Sequence, residues 1–384
     1  MRSAGTVAND TMIAAPREGF SPARKRYIGV LSGSLLLAAI PATVRAAEGL
    51  SAQGAGRGGG RTARGEITPA LRLAVSRGIQ HLIRKQHRLG TGDFDSQYPV
   101  ATGALVGLAF LAGGHSERAG EKYTAIVRET TSRLLQRQNT SGYFHDGRSQ
   151  MYGHGFATLY LAELYGTSRY RSRQIRAALV KAIRVIEGSQ GSSGGWDYEP
   201  KSRFAIQGIF SRSRNSDTSI TVCQTMALRA ARSLGIRVEN RVIGLAQRYI
   251  GNMQNDDGGF KYRQDLQLSS AFPRSAAGVC ILYSLGYYNT ERLRDGFEYL
   301  RRNYRFPWSN QFPFYAHYYC SQAMFQAGGP YWEEYFRWIR GTLLEHQKAD
   351  GSWPTTRPEN PVQTTAMALI ILQLPYRFLP IHER

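Results

Sequence analysis

Sorted by polarity alone, the chain alternates between two kinds of apolar segment. In "RVIGLAQRYIGNMQ" (241–254) apolar residues return every three to four positions among arginines, which predicts a helix with one buried stripe. The other kind is apolar nearly all round: "VATGALVGLAFLAGG", "YGHGFATLYLAELYG", "SDTSITVCQTMALRAARSLG", "SAAGVCILYSLG", "YAHYYCSQAMFQAGG" and "TTAMALIILQL". Such segments predict helices covered on every side, and their alanines and glycines let neighbours approach closely. No strand period of comparable strength runs through the chain.

The joints between the two kinds repeat. "RLLQRQNTSGYF", "VIEGSQGSSGGW", "YIGNMQNDDGGF" and "LLEHQKADGSW" each carry a glutamine, a glycine four residues later and an aromatic at plus six. The sets are Gln138, Gly142 and Phe144; Gln190, Gly194 and Trp196; Gln254, Gly258 and Phe260; Gln347, Gly351 and Trp353. An earlier copy, "HLIRKQHRLGTGDF", has Gln86 and Gly90 with the aromatic delayed to Phe94, and "YLRRNYRFPWSNQF" (299–312) is a degenerate one. A glycine here permits the positive φ that ends a helix, the aromatic can fold back on the helix end, and the glutamine amide can bond the turn. Six polar-faced helices alternating with six apolar ones predict an all-α, six-hairpin (α/α)6 toroid over residues 67–384, an inner ring wrapped by an outer one. Asp256 and Asp257 stand where the other copies have Thr-Ser, Ser-Ser and Ala-Asp, so this acid pair reads as variable turn surface.

The Gln–x3–Gly–x–aromatic repeat resembles the QW motif of squalene–hopene and oxidosqualene cyclases, whose toroid protein prenyltransferases share with looser repeats. The resemblance covers the chain from about 67 to 380 and implies a central cavity for an apolar, isoprenoid-like ligand, with reactive groups where the inner helices begin. Cyclases of the hopene type open their reaction with Asp-x-Asp-Asp-Thr. The counterpart here, "RNSDTS" (214–219), keeps Asp217 before Thr218 but has Ser216 at the protonating aspartate and Arg214 at the first. Asp217 is then either an acid or a helix N-cap. "FYAHYYCSQAMFQAGG" (314–329) is similar to the prenyltransferase segment that supplies a zinc-binding histidine, which would be His317. The matching Asp-x-Cys is absent, since Thr218 and Ser219 follow Asp217 and Cys223 comes six residues on, so no metal site and no cofactor are expected. His154 in "MYGHGF" is a lone histidine at an inner-helix start, either a base or a satisfied cavity residue. The candidate catalytic set is Asp217, His154 and His317. The candidate cavity lining is Tyr98, Tyr152, Phe272, Tyr315, Tyr318, Gln224 and Gln363; its rings could hold a cation or simply fill the space.

Composition changes the picture in two places. With 49 Lys+Arg against 28 Asp+Glu, the 384 residues carry a formal charge of +21. That favours an anionic membrane surface or an acidic envelope polymer as a partner. The basic residues are spread along the whole chain with no arginine-rich helix, so specific nucleic-acid binding is not expected. The N-terminus supplies the second change. Arg24-Lys25-Arg26, the apolar "YIGVLSGSLLLAAI" (27–40) and "PATVRAAE" read as a secretory signal over 1–46, cleaved after Ala46. An uncleaved N-terminal anchor is the alternative; either way the protein is expected to be exported, in the periplasm or another extracytoplasmic space. A Gly- and Arg-rich flexible linker follows over 47–66. Cys223, Cys280 and Cys320 cannot complete a disulfide framework and show no CxxC spacing, which makes them buried free thiols. The function expected is that of an exported, terpenoid-cyclase-like binder of an apolar ligand; the alternative is a non-catalytic envelope scaffold.

Overall fold

The computed structural model describes residues 65–118, 120–167, 169–201, 216–266, 268–353 and 360–382. The expected signal (1–46) and nearly all of the expected linker lie outside them. Gly65 and Glu66, read as linker, already belong to the folded body. Arg340 donates to both of their carbonyls at 2.9 Å, and the Glu66 carboxylate accepts from Trp332 Nε1 at 2.8 Å.

Twelve helices make up the described body. Six are amphipathic: α1 (Pro69–Leu89), α3 (Thr124–Gln136), α5 (Ser172–Ser189), α7 (Asn240–Gly251), α9 (Glu291–Asn303) and α11 (Gly329–His346). Six are buried almost throughout: α2 (Pro99–Ala112), α4 (Gln150–Thr167), α6 (Thr218–Ser233), α8 (Phe272–Ser284), α10 (Pro313–Ala327) and α12 (Pro361–Gln373). Helix α5 shows the outer plan. Ile175, Leu179, Ile183 and Ile186 point inward while Arg173, Arg176 and Arg184 stay outside. Helix α2 shows the inner plan, with Val100 to Ala112 all buried.

The inner starts are written locally. Proline occupies the first turn of α2, α8, α10 and α12, where its missing N–H costs nothing and its fixed φ favours the helix. Asp217 caps α6 and Asn360 caps α12. Each inner helix packs on its two inner neighbours, and α12 packs back on α2, so the ring closes. Small residues set the spacing. A Cβ at Gly107 would meet the Tyr160 ring at 2.4 Å, and one at Gly155 would meet Cys223 Cβ at 2.7 Å.

The glutamine turns hold the outer ring. Each strict glutamine donates from Nε2 to the carbonyl of its own glycine and to a carbonyl of the next outer helix. Gln138 reaches Ala178 at 2.9 Å, Gln190 reaches Val242 at 2.8 Å, and Gln254 reaches Arg292 at 2.8 Å. Gln347 reaches Ala74 of α1 at 2.9 Å, which ties the last turn to the first helix. The tryptophans fold back as expected, Trp196 Nε1 onto Ile186 O and Trp353 Nε1 onto Leu343 O, both at 2.7 Å. One assignment changes. In the first copy Gly90 caps α1, and Gln86 bonds the carbonyl of Gly92, which lies two residues before Phe94. A two-residue insertion in that turn therefore accounts for the delayed aromatic.

After α12 the chain makes two short 3-10 turns, Leu374–Tyr376 and Pro380–His382. The second packs against α4, α6 and α10, covering the end of the toroid where the inner helices finish. A cleft of about 20 Å³ remains there, between residues such as Arg229, Cys280, Gln326 and His382, with room for about one water.

Candidate functional site

The inner helices all begin at the opposite end, and the loops after the glutamine turns are stitched to those beginnings. Tyr198 O accepts from Met151 N at 2.8 Å, and Tyr262 O accepts from Thr218 N at 3.3 Å. Asp217 N donates to Trp196 O at 2.9 Å. The start of α6 is thus gripped by the second and third strict turns.

Asp217 is 2% exposed. Its Oδ1 accepts from the Ser219 amide and the Ser219 hydroxyl, each at 2.6 Å, so it serves as the N-cap of α6. The Tyr198 and Tyr262 hydroxyls, 3.1 Å apart, face the same carboxyl group. Burial raises its pKa above the ordinary carboxyl value, more than the Ser219, Tyr262 and Tyr198 donors lower it. The environment therefore works against ionisation of this carboxyl group.

Beside this acid the structure gathers Tyr152 from α4, Tyr315 from α10 and Cys223 from α6, with Tyr319 of α10 against Cys223. Burial drives the phenols of Tyr152, Tyr315 and Tyr319 well above their ordinary range, and the Cys223 thiol to about 12, so all stay protonated. Tyr319 Oη meets Cys223 Sγ at 3.2 Å. Deeper in, Tyr319 packs edge-on against Tyr315 and Tyr318, and Tyr318 against Phe156.

The two histidines are elsewhere. His154 Nδ1 accepts from Phe144 N at 3.2 Å and Nε2 meets Ala182 O at 3.1 Å, so both nitrogens are engaged by backbone between α4 and the outer ring. Burial lowers its pKa to about 4. The hydroxyls of Thr221, Ser275 and Thr365 likewise accept from the backbone N–H of Trp196, Phe260 and Trp353, so His154 fills a repeat position of the scaffold. His317 Nδ1 lies 3.2 Å from Tyr335 Oη on α11, stacked on Trp308 and near Phe272. Burial lowers its pKa to about 3. None of these partners is shared with Asp217, so the expected trio does not converge.

The remaining candidates divide. Phe272 belongs to the His317 aromatic group, against Phe306 at 5.3 Å. Gln224 donates to Met151 O at 2.8 Å and ties α6 to α4. Gln363 donates to Thr102 Oγ1 at 2.9 Å on the seam where α12 meets α2, and Tyr98 lies at the same seam with its amide on Asp95. Tyr198 and Tyr262 were missed. Each follows the motif aromatic by two residues, in "GGWDY" and "GGFKY", and that shared spacing was a usable signal. Asp197 and Glu199 flank Tyr198, each with one buried carboxylate oxygen that has no partner among the described residues. Asp257 behaves as a turn residue, its carboxylate accepting from Gly259 N and Ser270 Oγ. Cys223, Cys280 and Cys320 are buried and free. Among the described residues, no group of three or more His, Cys, Asp or Glu side chains could hold a metal ion.

A closed ring of six helical hairpins defines an (α/α)6 toroid. Solved structures agree. The chain is similar to the apo type II terpene cyclase MstE from Scytonema, with TM-score 0.53 and 14% identity over 81% of this chain and 99% of that one. A protein from Actinoplanes gives TM-score 0.54 at 15% identity over 80% and 99% of the two chains. A glycosidase in complex with glucose gives 0.54 at 12% identity over 81% and 98%. At these identities the likeness is one of fold. No protein-family model matches the chain, and no curated protein matches it in sequence.

Proposed function

We propose that this is an exported, terpenoid-cyclase-like protein that holds an apolar, isoprenoid-like ligand at the tyrosine-lined end of its toroid, with Asp217 as the acid turned toward it. The observation that carries the reading is the Asp217 environment: a carboxyl group 2% exposed, made harder to ionise by burial and ringed by protonated phenols. Such a site suits a ligand that is mostly hydrocarbon and supplies an acid where water is scarce. The cyclase MstE is solved with geranylgeranyl dihydroxybenzoate as its substrate, an isoprenoid-bearing molecule, which supports the ligand class. Export rests on the basic and apolar run over 24–40.

The test is native mass spectrometry of the protein after incubation with a lipid extract. The expected result is a retained isoprenoid-class mass that disappears in Tyr315→Ala and persists in Asp217→Asn. Absence of any retained apolar ligand in the wild type would overturn the reading. A second reading, a non-catalytic envelope scaffold, draws on the rings of Phe156, Tyr318 and Tyr319 packed below the acid and on the arginines of the outer helices.

A further inference from the structure

Tyr152 and Tyr315 present a demand that the acid does not meet. They are 3% and 5% exposed, and among the described residues neither hydroxyl has a hydrogen-bond partner. Neighbouring phenols do: Tyr198 with Tyr262, Tyr319 with Cys223, Tyr249 with Ser216 O and Tyr160 with Thr131. A buried polar group without a partner is costly, and natural proteins keep few of them.

Their placement is specific. Tyr152 stands on α4 and Tyr315 on α10, the second and fifth of the six inner helices, hence on opposite sides of the ring. Tyr315 is nonetheless a principal electrostatic neighbour of Tyr152, and Asp217 and Cys223 lie beside both. The two residues reach this shared neighbourhood from opposite sides of the ring, and their hydroxyls do not bond to one another. One acceptor with two lone pairs, placed between these phenols, would satisfy both. A plain hydrocarbon has none. A phosphate would bring negative charge beside the Asp217 carboxyl.

We propose that Tyr152 and Tyr315 are an oxygen-recognition pair, both donating to one neutral oxygen (carbonyl, hydroxyl or ether) carried by the apolar ligand and thereby placing that oxygen beside Asp217. This rests on the reading that an apolar ligand enters this end of the toroid.

The test compares farnesol with β-farnesene, similar hydrocarbon chains that differ by the hydroxyl, and with farnesyl diphosphate, by quenching of intrinsic fluorescence in the full chain. Farnesol is expected to bind about tenfold tighter than β-farnesene, one good hydrogen bond's worth, and also tighter than the diphosphate. Tyr152→Phe and Tyr315→Phe should each bring the ratio of farnesol to β-farnesene affinity down toward one. The free variants should melt at or above the wild-type temperature, because each loses an unpaired buried hydroxyl. Equal binding of farnesol and β-farnesene by the wild type would overturn the pair and leave the apolar site standing. So would preference for the diphosphate, or a lower melting temperature in both Phe variants, since the hydroxyls would then already be partnered, for example by a trapped water. Failure of all three probes to bind would instead overturn the apolar-site reading, and the pair with it.

Discussion

Asp217 does two things with one carboxyl group: it caps α6 and it sits buried among phenols. The two can be separated by Asp217→Asn, because asparagine caps a helix as well as aspartate does but carries no charge. The folded protein binds the Asp217 proton more tightly than the unfolded chain, so the cost of ionising it is present above the folded-state pKa. It fades as pH falls through that value and is gone below the unfolded value near 4. Asp217→Asn should therefore raise the melting temperature by a few degrees at neutral pH, with the gain vanishing below about pH 4. Thermal unfolding followed across pH checks this, and a gain that persisted in acid would contradict the assigned environment. The histidines show how far residue identity alone can mislead. His154 attracts notice as a lone histidine at a helix start, yet in space it replaces the threonine or serine that ties each motif aromatic to an inner helix. Only the bond to Phe144 N reveals that equivalence.

At the scale of the element, the unit is the glutamine turn. Its glycine is required on two counts. Gly194 has φ +100°, and a Cβ there would lie 2.1 Å from Leu245 O, a backbone atom that cannot swing away. Gly142, Gly258 and Gly351 press on Lys181, Asp295 and Arg77 of the next outer helix in the same manner. Gly235 is the natural comparison: it too has positive φ, +73°, but nothing lies within 4 Å of its Cβ position. Gly235→Ala should cost about 1–2 kcal/mol, the conformational strain alone. Gly194→Ala should cost roughly 3 kcal/mol or more, because overpacking adds to the strain. Equal losses for the two in denaturant unfolding would show that the turn does not bear on its neighbour. Most of this element was legible in the sequence, since glutamine, glycine and aromatic lie within seven residues. The first copy was misread at its glycine because an inserted pair of residues moves the functional position from Gly90 to Gly92.

For the whole molecule, both closures depend on contacts distant in sequence. The ring closes where Gln347 reaches Ala74, 273 residues away. Arg77, His81 and Arg84 of α1 add bonds to the Lys348–Asp350 backbone at the same seam. One end of the toroid is covered by the C-terminal segment, where Leu379, Ile381 and His382 are buried and Ile381 N donates to the Glu163 carboxylate at 3.1 Å. Deleting residues 379–384 should cost about 4 kcal/mol from the two aliphatic side chains alone. A fall in melting temperature of about 6 °C is expected. An unchanged melting temperature would mean that the segment does not seal the end.

The sequence by itself determined the period, the two helix types, the turn chemistry and hence the six-hairpin toroid, because each is encoded in windows shorter than one repeat. It also marked Asp217, Tyr152 and Tyr315 as residues at the start of inner helices. Tertiary structure alone decided which of those residues meet. It brought Tyr198 and Tyr262 from two turns onto Asp217, set Tyr152 opposite Tyr315, and turned His154 and His317 into the seams between helices. A helical period states that a face is buried; whether that face looks onto the axis or onto the outer ring depends on the rotation of each helix against its neighbours, which is settled by packing across the whole ring.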